Sequence, residues 1–467
     1  MNRSGTKARN ANECGRCARL ERRVRQLEAE KRILKDLLEE ARRAAKRQAC
    51  PFSKGPPKRR PKKPGRKPGE AYGRRASRPR PRQVDEILEA PLPARCPDCG
   101  GLLGQRRVEP QWQHEIPKVT PKVTQFNVHR GVCEDCGRHV QGRHARQTSD
   151  ALGAAANQIG PTAFALAGQL NKEAGVPHGR IQLFFERAFG LAVAKATIVR
   201  GIERLAHRAE PLYANIAGIV RQSQASTWDE TGWRIGGHRA WLWAGAAVTA
   251  TLYLIRKSRG FDVPVQVLGE DYRGGLVADG WSIYDRFRLA QRQFCLQHPL
   301  RRCVELLETA TRGAVRFPRD VKKWIEDALA LRDRRDEGKV TRHGLAVAMG
   351  HLEARMGRLL HWTRANRDNE RFAKHLAAHE PFLLNFLRYP WLEGTNWRGE
   401  QALRPAVITR KISGGNRTDF GAHAQEVLAS VLRTSWQRGM NPIELFVHVL
   451  RARTPQDVSR VAFTDTG

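Results

Sequence analysis

Asp229, Asp279 and Glu400 stand in three different local sequences, and gathered at one place they would form an oxygen-donor set for a hard cation, Mg²⁺ or Mn²⁺. Carboxylates brought together repel, so one takes up a proton unless a cation holds them. A pair of such ions roughly 3.5–4 Å apart stabilises both the attacking and the leaving oxygen of a phosphodiester displacement. That chemistry needs acids and metal, and no covalent nucleophile. Asp229 lies in Ser226–Ile235, an alternating stretch rich in β-formers that runs to a turn at Gly236-Gly237, which predicts a strand. Two more strands of a meander are expected over Arg239–Ala250 and Thr251–Lys257. Asp279 closes the apolar run Gly275–Ala278, so it should open on the crevice beyond a buried strand, where open α/β sheets bind ligands. Glu400 follows Thr395-Asn396, a candidate helix N-cap, in what reads as a short helix limited by Pro405.

The charge balance points to a polyanionic partner. The chain has 83 Lys and Arg against 47 Asp and Glu, a formal charge of +36, which attracts nucleic acid over long range and makes binding fall with salt. No stretch reaches the roughly 18–20 apolar residues of a membrane span, and the polar amino terminus lacks the apolar core of a secretory signal, so no membrane partner is expected. A cytoplasmic, nucleoid-associated location is the expectation.

At 467 residues the chain is expected to divide into several parts. Residues 1–47 carry Leu20, Leu27, Leu34 and Ala41 at heptad spacing beside Val24, Lys31, Leu38 and Ala45, the pattern of a coiled coil that self-associates or of one amphipathic helix. Residues 48–92 form a basic, Pro-rich linker in which Arg66, Lys67, Arg78 and Arg80 suit either minor-groove arms or a charged tether. Within 93–145, Cys96, Cys99, Cys133 and Cys136 form two Cys-x-x-Cys-Gly knuckles joined by expected strands at Gln111–Val119 and Val123–Val132, the form of a ribbon holding structural Zn²⁺. Cys14 and Cys17 are a third pair without a matching one. Residues 146–220 are expected to be helical; Arg180–Phe189, a turn at Gly190 and a second helix with Ile198, Ile202 and Leu205 suit a helix-turn-helix or a plain helical hairpin. In the first case Lys195, Arg200 and Arg204 would meet phosphates. The acids fall in 221–440, interrupted by a charge-rich helical stretch at about 301–390, with a tail at 441–467.

Several motifs together resemble the DDE transposases of bacterial insertion sequences, specifically the insertion-sequence-66 family. They are Trp228-Asp229-Glu230-Thr231-Gly232-Trp233, Ala278-Asp279-Gly280-Trp281-Ser282-Ile283-Tyr284, Asn396 through Pro405, Arg410 through Gly415, and Gly439 through Pro442. Cys295-Leu296-Gln297-His298 matches a Cys-x-x-His element of that family, for which packing and hydrogen bonding near the acids is the expected role. The resemblance implies an RNase H-like catalytic core with a helical insertion, within a multidomain chain of α+β and α/β character that carries the coiled coil, zinc ribbon and helix-turn-helix-like region ahead of it. It implies Asp229, Asp279 and Glu400 as metal ligands, cutting transposon ends and joining the 3′-hydroxyls to target DNA, with companion proteins of the element as further partners. Trp397 and Gln401 depart from the family pattern on either side of Glu400. Two alternatives stay open at this point, an inactive transposase-derived regulator that binds DNA and an RNase H-like nuclease that joins nothing.

Overall fold

The computed structural model describes residues 20–34, 79–104, 107–310, 312–461 and 463. The chain divides into two compact units, Phe52–Pro121 and the remainder. The described part of the first unit has no helix or strand; it contains the Cys96–Gly101 knuckle, and the Arg80 guanidinium lies 5.5 Å from the Trp112 ring centre.

The larger unit begins with helix α1 (20–34), along which Leu20, Val24, Leu27 and Leu34 are exposed. Lys31 is exposed on the same helix, and Leu38, Ala41 and Ala45 of the expected heptad seam lie outside the described residues. A short hairpin follows, β1 (Arg130–Val132) and β2 (His139–Gln141). Then come α2 (Pro161–Lys172), α3 (His178–Phe189), α4 (Lys195–Arg208) and α5 (Glu210–Gln222). Gly190 between α3 and α4 has a φ of 67°, a left-handed turn that glycine adopts without strain.

The sheet is built from β3 (Ala225–Ile235), β4 (His238–Ala246) and β5 (Thr251–Arg256), then, after α6 (Pro264–Leu268), β6 (Gly275–Ala278) and β7 (Gln291–Phe294). Its strand order is β5-β4-β3-β6-β7, antiparallel through the meander and parallel from β3 to β6 to β7. Alternation along β3 sends Trp228 to one face and Trp233 and Ile235 to the other, and both faces are covered. The helical stretch follows as α7 (Gln297–Thr309), α8 (Arg316–Asp336), α9 (Arg342–His361), α10 (Arg367–His379) and α11 (Asn385–Arg388). The chain then returns to the sheet with α12 (Trp397–Ser413), α13 (Asp419–Gln437), α14 (Pro442–Arg451) and α15 (Pro455–Ser459).

Three apolar clusters hold these elements. The first joins α2 to α5 with one sheet face, α13 and α14; the second joins α7 to α11 with Val277 and Phe294 of the sheet; the third packs α12 on the face carrying Trp233. Two boundaries expected from the sequence therefore differ. The 146–220 helices share one core with the sheet, because Ile198, Ile202 and Leu205 bury into the same cluster as Trp228. The segment expected as a tail joins the core as well, for Leu445, Phe446 and Val449 on one face of α14 enter it.

Two element expectations also need correcting. Gln111–Val119 is not a strand, and of Val123–Val132 only Arg130–Val132 pairs; Pro110, Pro117 and Pro121 remove donors along this run. Pro405 does not end the helix bearing Glu400, which continues to Ser413. The donor that Pro405 lacks would have served Gln401, an exposed residue, and burial of Ala402, Leu403, Ala406 and Thr409 holds the helix through the gap.

Candidate active site

Strand register brings the two aspartates together. Thr227 on β3 pairs with Val277 on β6 as the last pair of that ladder, and Asp229 and Asp279 each lie two residues beyond it, near enough for the charge of Asp279 to act on the Asp229 carboxyl. Each carboxylate accepts a hydrogen bond from a nearby backbone N–H: Glu230 N to Asp229 Oδ1 at 2.9 Å, and Trp281 N to Asp279 Oδ1 at 3.1 Å.

Glu400 reaches the same end of the sheet from the first turn of α12. The side chain of Asn396, fully buried at the N-cap position, does not cap the helix; its Nδ2 donates across to the Trp228 carbonyl at 3.0 Å. Asn396 N in turn donates to Cys295 Sγ at 3.0 Å. Gly399 allows the close approach that follows, for a Cβ there would sit 3.2 Å from Asp229 Cβ and collide with the Asn396 side chain. Glu400 Oε1 lies 3.3 Å from Arg301 Nη2, at the start of α7.

The electrostatics show how strained this collection of acids is. Burial first, then the charge of Glu230, and further Asp279 and Glu400, raise the Asp229 carboxyl to about 7. Glu230 itself is raised, chiefly by burial, against the pull of Arg259. Its carboxylate is 2% exposed and 2.6 Å from Arg259 Nη2, while the Arg259 guanidinium lies 3.9 Å from the Trp281 ring centre and 4.5 Å from that of Trp241. Burial, with the charges of Glu230, Asp279 and Asp229, holds the Tyr284 hydroxyl well above its ordinary value. His298 is also held here: burial lowers its pKa, Asp279 and Glu400 oppose that, and its buried Nδ1 has no hydrogen-bond partner.

These all-oxygen donors suit a hard divalent cation, and a cation would offset both the burial and the repulsion that raise the Asp229 carboxyl. Among the described residues, however, no group of three or more His, Cys, Asp or Glu side chains is gathered closely enough to hold one metal ion. Glu400 is engaged by Arg301 instead. The departures beside Glu400 do not enter the cluster: Trp397 is 40% exposed with the Arg398 guanidinium 4.6 Å from its ring centre, and Gln401 is exposed.

The remaining residues singled out from the sequence fall elsewhere. Lys195, Arg200 and Arg204 are exposed on α4. Arg66, Lys67, Arg78, Cys14 and Cys17 lie outside the described residues. The two cysteine knuckles share one local geometry. Gly100 N donates to Cys96 O and Gly137 N to Cys133 O, both at 2.9 Å, with both glycines at positive φ. In each, backbone and side-chain hydrogen bonds around the second cysteine lower the first thiol's pKa, for Cys96 and for Cys133 alike.

Sequence reasoning passed over Arg301, Glu230 with Arg259, and the cross-link made by Asn396. Only Glu230 left a local signal, as an acid adjoining Asp229; the others act across roughly a hundred residues or more of chain, or in Arg259's case across 29. No helix among the described residues is long and apolar enough to cross a membrane.

No curated protein matches this chain. The family model described as transposase IS66 family matches residues 157–424, a span that holds Asp229, Asp279 and Glu400, the whole five-stranded sheet and the helices between β7 and α12. With more than half of its length matched, across the mixed sheet and the three acids, the chain belongs to the IS66 family of transposases.

Proposed function

We propose that the chain cuts DNA at the ends of an insertion sequence and joins the freed 3′-hydroxyls to target DNA, with Asp229, Asp279 and Glu400 as the metal-holding acids of an RNase H-like core. The observation that carries this reading is the juxtaposition of Asp229 and Asp279 by the parallel register of β3 and β6, with Asn396 tying the Glu400 helix to Trp228. Mg²⁺ or Mn²⁺ held there would activate the attacking oxygen and stabilise the leaving one. The acids position that chemistry, and Glu400 joins them once Arg301 lets go of it. The strand order supports the RNase H-like assignment, and the strong positive charge supports DNA as partner.

The exposed leucines of α1 suit self-association, and exposed Lys195, Arg200 and Arg204 suit phosphate contacts. Their Cys-x-x-Cys-Gly spacing makes Cys96, Cys99, Cys133 and Cys136 candidate ligands of structural Zn²⁺, and each pair by itself has the backbone turn of a thiolate knuckle. Metal analysis of purified protein should find about one zinc per chain, lost in Cys99→Ser and Cys136→Ser alike.

The test of the activity is a cleavage and joining assay with the element's own terminal sequences. Wild-type protein with Mn²⁺ should cut the ends and yield joined products flanked by a short target duplication. Asp229→Ala, Asp279→Ala and Glu400→Ala should each abolish cutting while DNA binding is kept. Cutting without joining would make the chain a nuclease; binding without either would make it a regulator.

A further inference from the structure

The helical stretch between β7 and α12 contains a groove that the reaction at the acids does not use. It has a volume of about 750 Å³ and is lined by α8, α9, the start of α10 and the turn before α8. Arg312, Arg316, Arg358 and Arg364 all line it, against Asp320 as its one acid. Arg364 is occupied by the structure, with its guanidinium 3.9 Å from the Phe317 ring centre and Glu370 at 3.8 Å. Arg316 reaches Asp320 only at 3.8 Å and is 87% exposed. Arg312 and Arg358 have no ion pair among the described residues, and Arg312 takes a φ of 52°, a conformation uncommon for a side-chain-bearing residue.

Beside these cations stands Trp362, 72% exposed, an indole of that size left open to solvent on a charged face. On the groove's wall, Asn369 donates from Nδ2 to the Ala314 carbonyl at 2.7 Å, while its buried Oδ1 has no partner. Unpaired guanidinium groups next to an exposed aromatic plane are the combination that holds a nucleic-acid strand, cations on the phosphates and a base stacked on the ring.

Helix α10 fixes where this groove lies along such a strand. Its first turn carries Asn369 into the groove; its last carries His379, whose Nε2 a Cβ on Gly280 would approach to 2.8 Å, and Gly280 directly follows Asp279. From Asn369 to His379 the helix rises about 15 Å at 1.5 Å per residue, which matches roughly four or five stacked nucleotides at 3.4 Å each.

We propose that this groove binds a DNA strand with an unpaired base stacked on Trp362 and phosphates on Arg312, Arg316 and Arg358, some four or five nucleotides from the scissile phosphate (about 15 Å). The distance rests on the acids being the cutting site; the groove's affinity for an unpaired strand does not.

The test uses the full-length protein without added Mg²⁺ or Mn²⁺, where nothing is cut and any structural Zn²⁺ is kept, so its outcome is independent of whether Asp229, Asp279 and Glu400 cleave DNA. Binding is measured to a terminal duplex with a single-stranded tail and to the same duplex without one, with 2-aminopurine moved along the tail. Trp362→Ala should weaken binding to tailed DNA roughly five- to a hundredfold and change blunt duplex binding less than about twofold. Trp362→Phe should keep most of the affinity, and 2-aminopurine should be quenched at one or two adjacent positions in the wild type and not in Trp362→Ala. Arg358→Ala, an exposed residue replaced without touching the core, should lower the salt slope of tailed binding by about 1. Unchanged tailed binding in both variants, or equal loss on tailed and blunt DNA, overturns the proposal. So does binding of poly-glutamate that Arg358→Ala abolishes while DNA binding stays intact, which would mark a site for an acidic protein.

Discussion

Asn396 Nδ2 donates to the carbonyl of Trp228 at 3.0 Å, tying the first turn of the Glu400 helix to the strand that bears Asp229 across 168 positions of sequence. Both groups are buried, so neither has water to fall back on. Asn396→Ala should therefore leave an orphaned carbonyl and cost about 1–3 kcal/mol of stability, read as a lower denaturation midpoint. Cleavage should fall much further than stability does, because the Glu400 helix loses its anchor. Equal loss of DNA binding and of cleavage would point to unfolding instead.

The Asp229 carboxyl, raised from 3.8 to about 7, makes the metal-free protein sensitive to pH in a definite direction. The folded chain holds a proton there that the unfolded chain has already released, so stability is lost as pH rises from about 4 through about 7 and then levels off. Asp229→Asn should remove this loss, stabilising the protein at pH 8 by on the order of 2–4 kcal/mol more than at pH 4. Thermal melts without added Mg²⁺ or Mn²⁺ across that range check it, and a constant difference between the two proteins would sink the assignment.

Arg301 competes with any cation for Glu400. Its partner lies 3.3 Å away and both side chains are about half exposed, so Arg301→Ala should change stability by less than about 1 kcal/mol. The same change should move the midpoint of Mn²⁺-dependent thermal stabilisation, measured without DNA, to lower concentration. A midpoint unmoved or raised would mean that Glu400 is not a metal ligand.

Arg259 neutralises Glu230, whose carboxylate is 2% exposed beside Asp229. Arg259→Ala should cost roughly 3–5 kcal/mol by leaving a buried charge unpaired. Adding Glu230→Gln should recover most of that loss, and a double variant as unstable as the single would show that the arginine acts through its packing on Trp241 and Trp281 rather than through charge.

The sequence alone determined the local pieces, because each rests on short-range physics. Alternation of β-formers placed Asp229 in a strand, the apolar run before it put Asp279 at a strand end, and Gly190 marked a turn between helices. Family motifs singled out the three acids, and excess Lys and Arg pointed to DNA. Tertiary structure decided what those pieces share. The β3–β6 register brings Asp229 and Asp279 to the same end of the sheet, a nearness between residues fifty apart that no local pattern encodes. Packing on the sheet carries the Glu400 helix past Pro405, where intrinsic propensity would stop it. It also draws residues 146–220 and α14 into the core around Trp228, since an apolar face joins whichever surface buries it. Arg301 and Arg259 find their carboxylates only once α7 and the loop after β5 are in place, because an ion pair depends on distance in space and not along the chain.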